Sequence, residues 1–223
     1  MNSRRSGFSV TQLIVLVCII GIVALLAVPA IKDGLDKRDL IRAMNNSREL
    51  YLAAFRMATD AAAKADSHRA WPGDYPTNSL AEYCTKLVQN DYLKPADLQR
   101  ILSAPGAECS ATMSGPPATL LLAGKPALKL YKVKASDASN TIFAATSNYV
   151  YDTPLDRSTV PFGDAGFVLV RKSGDAGVYK AKQATASNFE SPEKFRSDIG
   201  ILSGREKENV TPGDAGTALT NPK

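Results

Sequence analysis

Few residues in this 223-residue chain are of a type and spacing to do chemistry. The single histidine, His68, has no cysteine and no second histidine at ligand spacing, and no G-x-S-x-G context sets a nucleophilic serine beside it. No G-x-x-x-x-G-K-S/T loop occurs, so the chain is not a P-loop ATPase. Three carboxylates, Asp152, Asp156 and Asp164, share the loop YDTPLDRSTVPFGDAG. An oxygen-rich loop of this kind can hold Ca²⁺, but the spacing is not that of an EF-hand and Arg157 intrudes. Solvated turn residues are the plainer reading. Cys84 and Cys109 can form one disulfide if their region lies outside the cytoplasm. Closing that loop would stabilise by roughly 3–4 kcal/mol in the chain-entropy model. The other reading is two free buried thiols. No catalytic constellation emerges, and a non-enzymatic protein is expected.

The elements that position these residues begin with an apolar stretch. From Leu13 to Ile31 there is no charged residue, and nineteen helical positions reach roughly 28 Å, about one hydrocarbon core. Arg4 and Arg5 precede the run, Lys32 closes it, and Cys18 lies inside it. The run is too long for a secretory signal, and no A-x-A-like cleavage site follows it. The expectation is a retained transmembrane helix, with its basic side cytoplasmic and the remainder across the membrane. Formal net charge is +5, of which Arg4 and Arg5 supply +2, and no run of Lys or Arg exceeds two. The remaining +5 − 2 = +3 is weak for a nucleic-acid binder, so no nucleic-acid partner is expected.

Helical periodicity continues beyond Lys32. One stripe is Leu35, Ile41, Met44, Tyr51, Phe55, Ala58 and Ala62; beside it runs Leu40, Ala43, Leu50, Ala54, Met57 and Ala61. One helix is predicted from about Phe8 to about Asp66. Next comes a turn-rich connection, AWPGDYPTNS, whose Trp71, Pro72, Tyr75 and Pro76 fold back on the helix. Ser79 and Glu82 form a capping box for LAEYCTKLVQNDY, and Pro95 opens a short second helix. Gly106 to Pro117 reads as loop. Thr119–Ala123, Leu128–Val133 and Asn140–Thr146 read as strands, with Lys129 and Lys132 on the polar face of the second. Gly166–Lys172 and Gly177–Lys182 read as a hairpin. From Ser203 the polar, Gly- and Pro-containing sequence predicts a disordered tail.

A short basic leader ending in Gly7, then Phe8, then polar residues before a long apolar helix closely resembles the class III signal of type IV pilins and type II secretion pseudopilins. The resemblance covers about 25 residues, and Gly21 and Pro29 stand where that family often carries Gly and Pro. It implies cleavage between Gly7 and Phe8 by a prepilin peptidase, N-methylation of Phe8, and a helix that becomes the spine of a filament. Gln12 departs from the family, which usually carries Glu there to neutralise a neighbour's N-terminal ammonium. Gln12 can accept a hydrogen bond but cannot neutralise, which points to a minor or tip subunit. Some pseudopilins also bind calcium in a late loop, the reading open to Asp152, Asp156 and Asp164; no other cofactor is implied.

The resulting expectation is an α+β chain: a long N-terminal transmembrane-plus-amphipathic helix packed on a small antiparallel β-sheet head, as in pilins. Its parts are a cleaved leader (1–7), an assembly helix (8–31), an amphipathic continuation (32–66), a globular head (67–202) and a tail (203–223). The implied partners are other pilin or pseudopilin subunits, the prepilin peptidase, a membrane assembly platform and, before assembly, the lipid bilayer. The implied location is the inner membrane, single pass, with the head periplasmic, and then the filament. The alternative is a membrane-anchored periplasmic binding or adhesion domain, including a DNA-uptake pilin.

Overall fold

The computed structural model describes residues 10–64, 70–75, 77–205, 210–214 and 216–222. The chain divides into two compact units, Met1–Arg38 and Asp39–Lys223. Helix α1 (Val10–Lys64) contributes to both.

In the first unit α1 carries apolar side chains on every side. Val10, Leu13, Ile14, Val15, Val17, Ile19, Ile20, Ile22 and Val23 are all exposed. The transmembrane expectation is corrected here. Among the described residues no helix is long and apolar enough to cross a membrane. That finding removes the transmembrane part of the expected fold class, and with it the single-pass inner-membrane placement.

In the second unit α1 is a core helix. Leu40, Ala43, Leu50, Ala54, Met57 and Ala61 are buried, joined by Tyr51 and Ala53. Of the two stripes, the one containing Leu50 and Met57 faces inward, while Ile41, Leu52 and Phe55 stay exposed. Positions i, i+3, i+4 and i+7 share one face, and the face carrying Leu50, Ala54 and Met57 is the one that joins the core cluster with Leu130, Phe143 and Leu169 of the sheet.

Two short helices follow. Helix α2 (Leu80–Gln89) starts at Ser79, whose hydroxyl accepts from the Glu82 amide at 3.2 Å while the Glu82 carboxylate accepts from the Ser79 amide. The predicted capping box is therefore formed. Helix α3 (Pro95–Ile101) begins on Pro95. Strands β1 (Cys109–Ser114) and β2 (Thr119–Gly124) make a two-stranded antiparallel sheet. Strands β3 (Leu128–Leu130), β4 (Ile142–Thr146), β5 (Phe167–Arg171) and β6 (Ala176–Tyr179) make an antiparallel meander in that order. Helix α4 (Pro192–Asp198) was not foreseen; Ser191 caps it.

The α+β class thus holds, but with two small antiparallel sheets where one was expected. Strand β1 replaces the expected loop. Its inward residues Cys109 and Ala111 are small, so the stretch lacks the β-branched signature of a strand.

The turn between β5 and β6 rests on α1. Gly174 has φ +84°, and a Cβ there would lie 2.8 Å from the Tyr51 ring. The Tyr51 hydroxyl donates to the Lys172 carbonyl at 2.7 Å beside it. Trp71 folds back as predicted: it is buried, with its ring 6.1 Å from Tyr51 and 5.8 Å from Phe143.

The expected disordered tail is a second correction. Within 216–222, the Leu219 amide donates to the Leu130 carbonyl at 2.8 Å, and the Lys132 amide donates to the Thr217 carbonyl at 2.7 Å. Thr220 joins Asn78 and Leu80 at the start of α2. This strap covers the outer edge of β3 and buries Leu219. A few backbone bonds and one apolar anchor are enough to hold a polar segment that composition alone assigns to solvent.

Candidate functional site

The residues assigned by the pilin resemblance fall in the first unit or outside the described chain. Gly7 and Phe8 lie outside the described residues, as does His68. Gln12 is on α1, on the face that also carries Val15, Leu16 and Ile19. Gly21 has open space around its Cα: a Cβ added there meets nothing within 4 Å. Pro29 falls within α1, and the helix runs through it from Val10 to Lys64.

Cys84 and Cys109 are both free thiols in the structure, and both are buried. The expected disulfide is not formed. Burial pushes the Cys84 thiol far above the usual thiol range, and the neighbouring Cys109 adds to the shift. Burial raises Cys109 too. Thiols held neutral in this way are poor nucleophiles. Cys18, by contrast, is exposed.

The three loop carboxylates do not converge. Asp152 accepts from the Ala186 amide at 2.7 Å. Asp156 accepts from the Ser158 amide at 2.8 Å and the Ser158 hydroxyl at 2.9 Å, and the Ser158 amide foremost holds its carboxyl below the usual range. Asp164 pairs with Arg157 at 3.1 Å. Among the described residues no group of three His, Cys, Asp or Glu side chains could hold a metal ion. The calcium site considered for this loop is therefore not assembled by these residues.

An open cleft of about 580 Å³ lies between α1 and α3 in the second unit. Asp39, Arg42, Arg100 and Glu108 contribute mixed charge to its wall. Arg100 is already engaged: it donates to both Glu49 carboxylate oxygens, at 2.6 and 2.8 Å, and to Asn46 at 3.1 Å. Its walls thus offer no uniform field for a ligand of one charge.

The densest polar arrangement was not foreseen. Lys129, read from its alternation as solvent-facing, is only 7% exposed. Its ammonium donates to the Tyr149 carbonyl and pairs with Asp214. The other oxygen of Asp214 accepts from the Tyr131 hydroxyl at 3.0 Å and from the Tyr151 amide at 3.1 Å. Tyr149 stacks on Phe167 at 4.1 Å between ring centres, which closes the cluster with apolar surface. Burial lowers the Lys129 value, opposed by Asp214. Burial also raises Tyr131 and Tyr149 well above an ordinary phenol.

A sequence signal for this cluster existed. The tetrapeptide Gly-Asp-Ala-Gly occurs three times, at 163–166, 174–177 and 213–216. Each aspartate pairs with a cation: Asp164 with Arg157, Asp175 with Arg171 and Asp214 with Lys129. Only the third pair is withdrawn from water on both sides, at 9% and 17% side-chain exposure.

Compared with known proteins, the chain matches no family model, no curated protein and no solved structure.

Proposed function

We propose that this chain is a non-enzymatic structural subunit of a type IV pilus or type II secretion pseudopilus, processed after Gly7 and assembled through the apolar N-terminal part of α1. One observation carries the reading. Ten apolar side chains between Val10 and Val23 are each 45–73% exposed within the chain. A contiguous apolar surface of that extent marks an interaction site. Packing such helices against one another removes apolar area from water at about 25 cal/mol per Å², and so drives assembly without any catalytic group. The partners are other subunits of the same kind, a prepilin peptidase and an assembly platform.

Gln12 sets the position within the filament. It stands among apolar neighbours on α1 and cannot supply the negative charge that a neighbouring subunit's N-terminal ammonium requires. A subunit of this kind is placed at the tip or is a minor component. If Gln12→Glu is incorporated in the same amount and at the same position as the wild-type chain, that placement is wrong.

The reading is tested at the mature N-terminus by mass spectrometry. The expected terminus is N-methylated Phe8. An intact Met1, or cleavage after Ala30, overturns the proposal.

A further inference from the structure

We propose that Lys129 and Asp214 condense into an intramolecular amide that fastens the C-terminal segment to strand β3. The inference is independent of the filament reading and rests on the placement of four groups. The amine of Lys129 lies against one oxygen of the Asp214 carboxyl group. The other oxygen sits in a two-donor cradle formed by the Tyr131 hydroxyl and the Tyr151 amide. The amine is thus held against Oδ2, one bond from the carboxyl carbon, while Oδ1 is held where negative charge would develop. That is the arrangement that stabilises a tetrahedral intermediate. The two residues are 85 positions apart in sequence, yet the fold holds them in contact, which supplies the proximity that an uncatalysed amide synthesis lacks.

Burial provides the drive. Two buried ions are costly, and the desolvation penalty can exceed their attraction. Passing one proton from the ammonium to Asp214 Oδ2 turns the ion pair into a neutral amine and a neutral acid, and burial already lowers the lysine's affinity for that proton. The free pair on Nζ then attacks Cγ, and the charge moves to Oδ1 between Tyr131 and Tyr151. The Cγ–Oδ2 bond breaks as Oδ2 takes a second proton from the nitrogen, and one water leaves. An ammonium and a carboxylate become an amide and water, with no oxidant, metal or activated donor required. The product is uncharged, so the cost of keeping two ions out of water disappears.

The placement in the fold gives the bond a purpose. Lys129 is the middle residue of β3, the strand whose outer edge the strap covers. The strap itself is held by backbone bonds to Leu130 and Lys132 and by Thr220. A covalent tie at Asp214, immediately before it, stops the strap from peeling off the sheet edge under tension.

Intact-mass measurement of the folded, full-length chain decides the matter. The expected mass is about 18 Da, one water, below that of the sequence after any N-terminal processing is accounted for. Tryptic digestion should leave Lys129 uncleaved and yield a branched peptide joining it to the segment that contains Asp214. Lys129→Arg, which keeps the positive charge, and Asp214→Ala should both show the full sequence mass. Tyr131→Phe should fold, by circular dichroism, and accumulate uncross-linked chain. A wild-type mass equal to the sequence mass overturns the proposal and leaves an ion pair only. A water deficit that survives in Lys129→Arg overturns it equally, because the lost water then comes from elsewhere.

Discussion

Position 129 shows how far a single side chain can depart from its local pattern. In LKLYKV the lysine alternates with leucines, so period-2 reasoning sends it to solvent. The structure instead buries both faces of β3, and Lys129 survives there because a carboxylate and a carbonyl receive its protons. Nothing within the strand could reveal this, since the partner lies 85 residues on. Removing that partner should be expensive. Asp214→Ala leaves a buried cation without its counter-charge and is expected to cost about 3–5 kcal/mol, read from the denaturant midpoint. A loss below about 1 kcal/mol would show that water reaches the site. Thiol reactivity gives a second residue-level check. In the folded chain before assembly a maleimide should label Cys18 alone, because burial keeps the thiols of Cys84 and Cys109 neutral and covered. Native labelling of either buried cysteine would contradict their placement. The pairing of these two cysteines could not be read from spacing, because sequence does not show whether the enclosing region meets an oxidising environment.

Elements were legible wherever local chemistry repeats. The Ser79–Glu82 box, Pro95 at the start of α3 and the turn around Gly174 all stood in the sequence and formed as read. The long helix was also legible, but not which of its two stripes would be buried, since both are apolar and adjacent. That choice belongs to the sheet packed against it. It is checked by a pair of substitutions, one on each stripe. Leu50→Ala should cost about 2–5 kcal/mol, because Leu50 is fully buried. Ile41→Ala, on the exposed stripe, should stay within about 0.5 kcal/mol. Equal losses would mean that the stripes are wrongly assigned. Strand β1 and the strap were illegible for a different reason: their residues are small or polar, and pairing across the chain makes them ordered. The apolar run in α1 was legible as apolar, and length arithmetic over the whole of 13–31 suggested a span. The described helix does not reach that standard.

At the scale of the whole molecule, the head is tied together by buried phenols, and this gives its stability a defined pH response. Burial raises Tyr131 and Tyr149 well above the ordinary value of 10.0 and pushes Tyr151 up to about 12. A group whose folded value is raised contributes stability that is complete below its unfolded value and drains away as pH rises toward the folded one. Stability should therefore fall between about pH 10 and 12, with Tyr151 alone accounting for about 2–3 kcal/mol. Lys129, where it is not linked to Asp214, has the opposite sign: its lowered value penalises the protonated form, so that penalty fades as pH climbs toward 10.5. One lysine cannot offset several phenols. Thermal unfolding followed with tyrosinate absorbance across this range checks the sign, and a melting temperature that rises through it would contradict the account.

The proposed function rests on the apolar side chains of α1 between Val10 and Val23, which are exposed within the chain. Ile20 is 59% exposed on that surface, so Ile20→Lys should leave the fold of the second unit untouched while placing a charge in the packed helices. The deciding measurement is the amount of this chain in filaments sheared from cells, wild type beside Ile20→Lys. The proposed function requires the wild-type chain in the filament fraction and the folded variant absent from it; equal incorporation of the two, or absence of the wild type, would contradict that function.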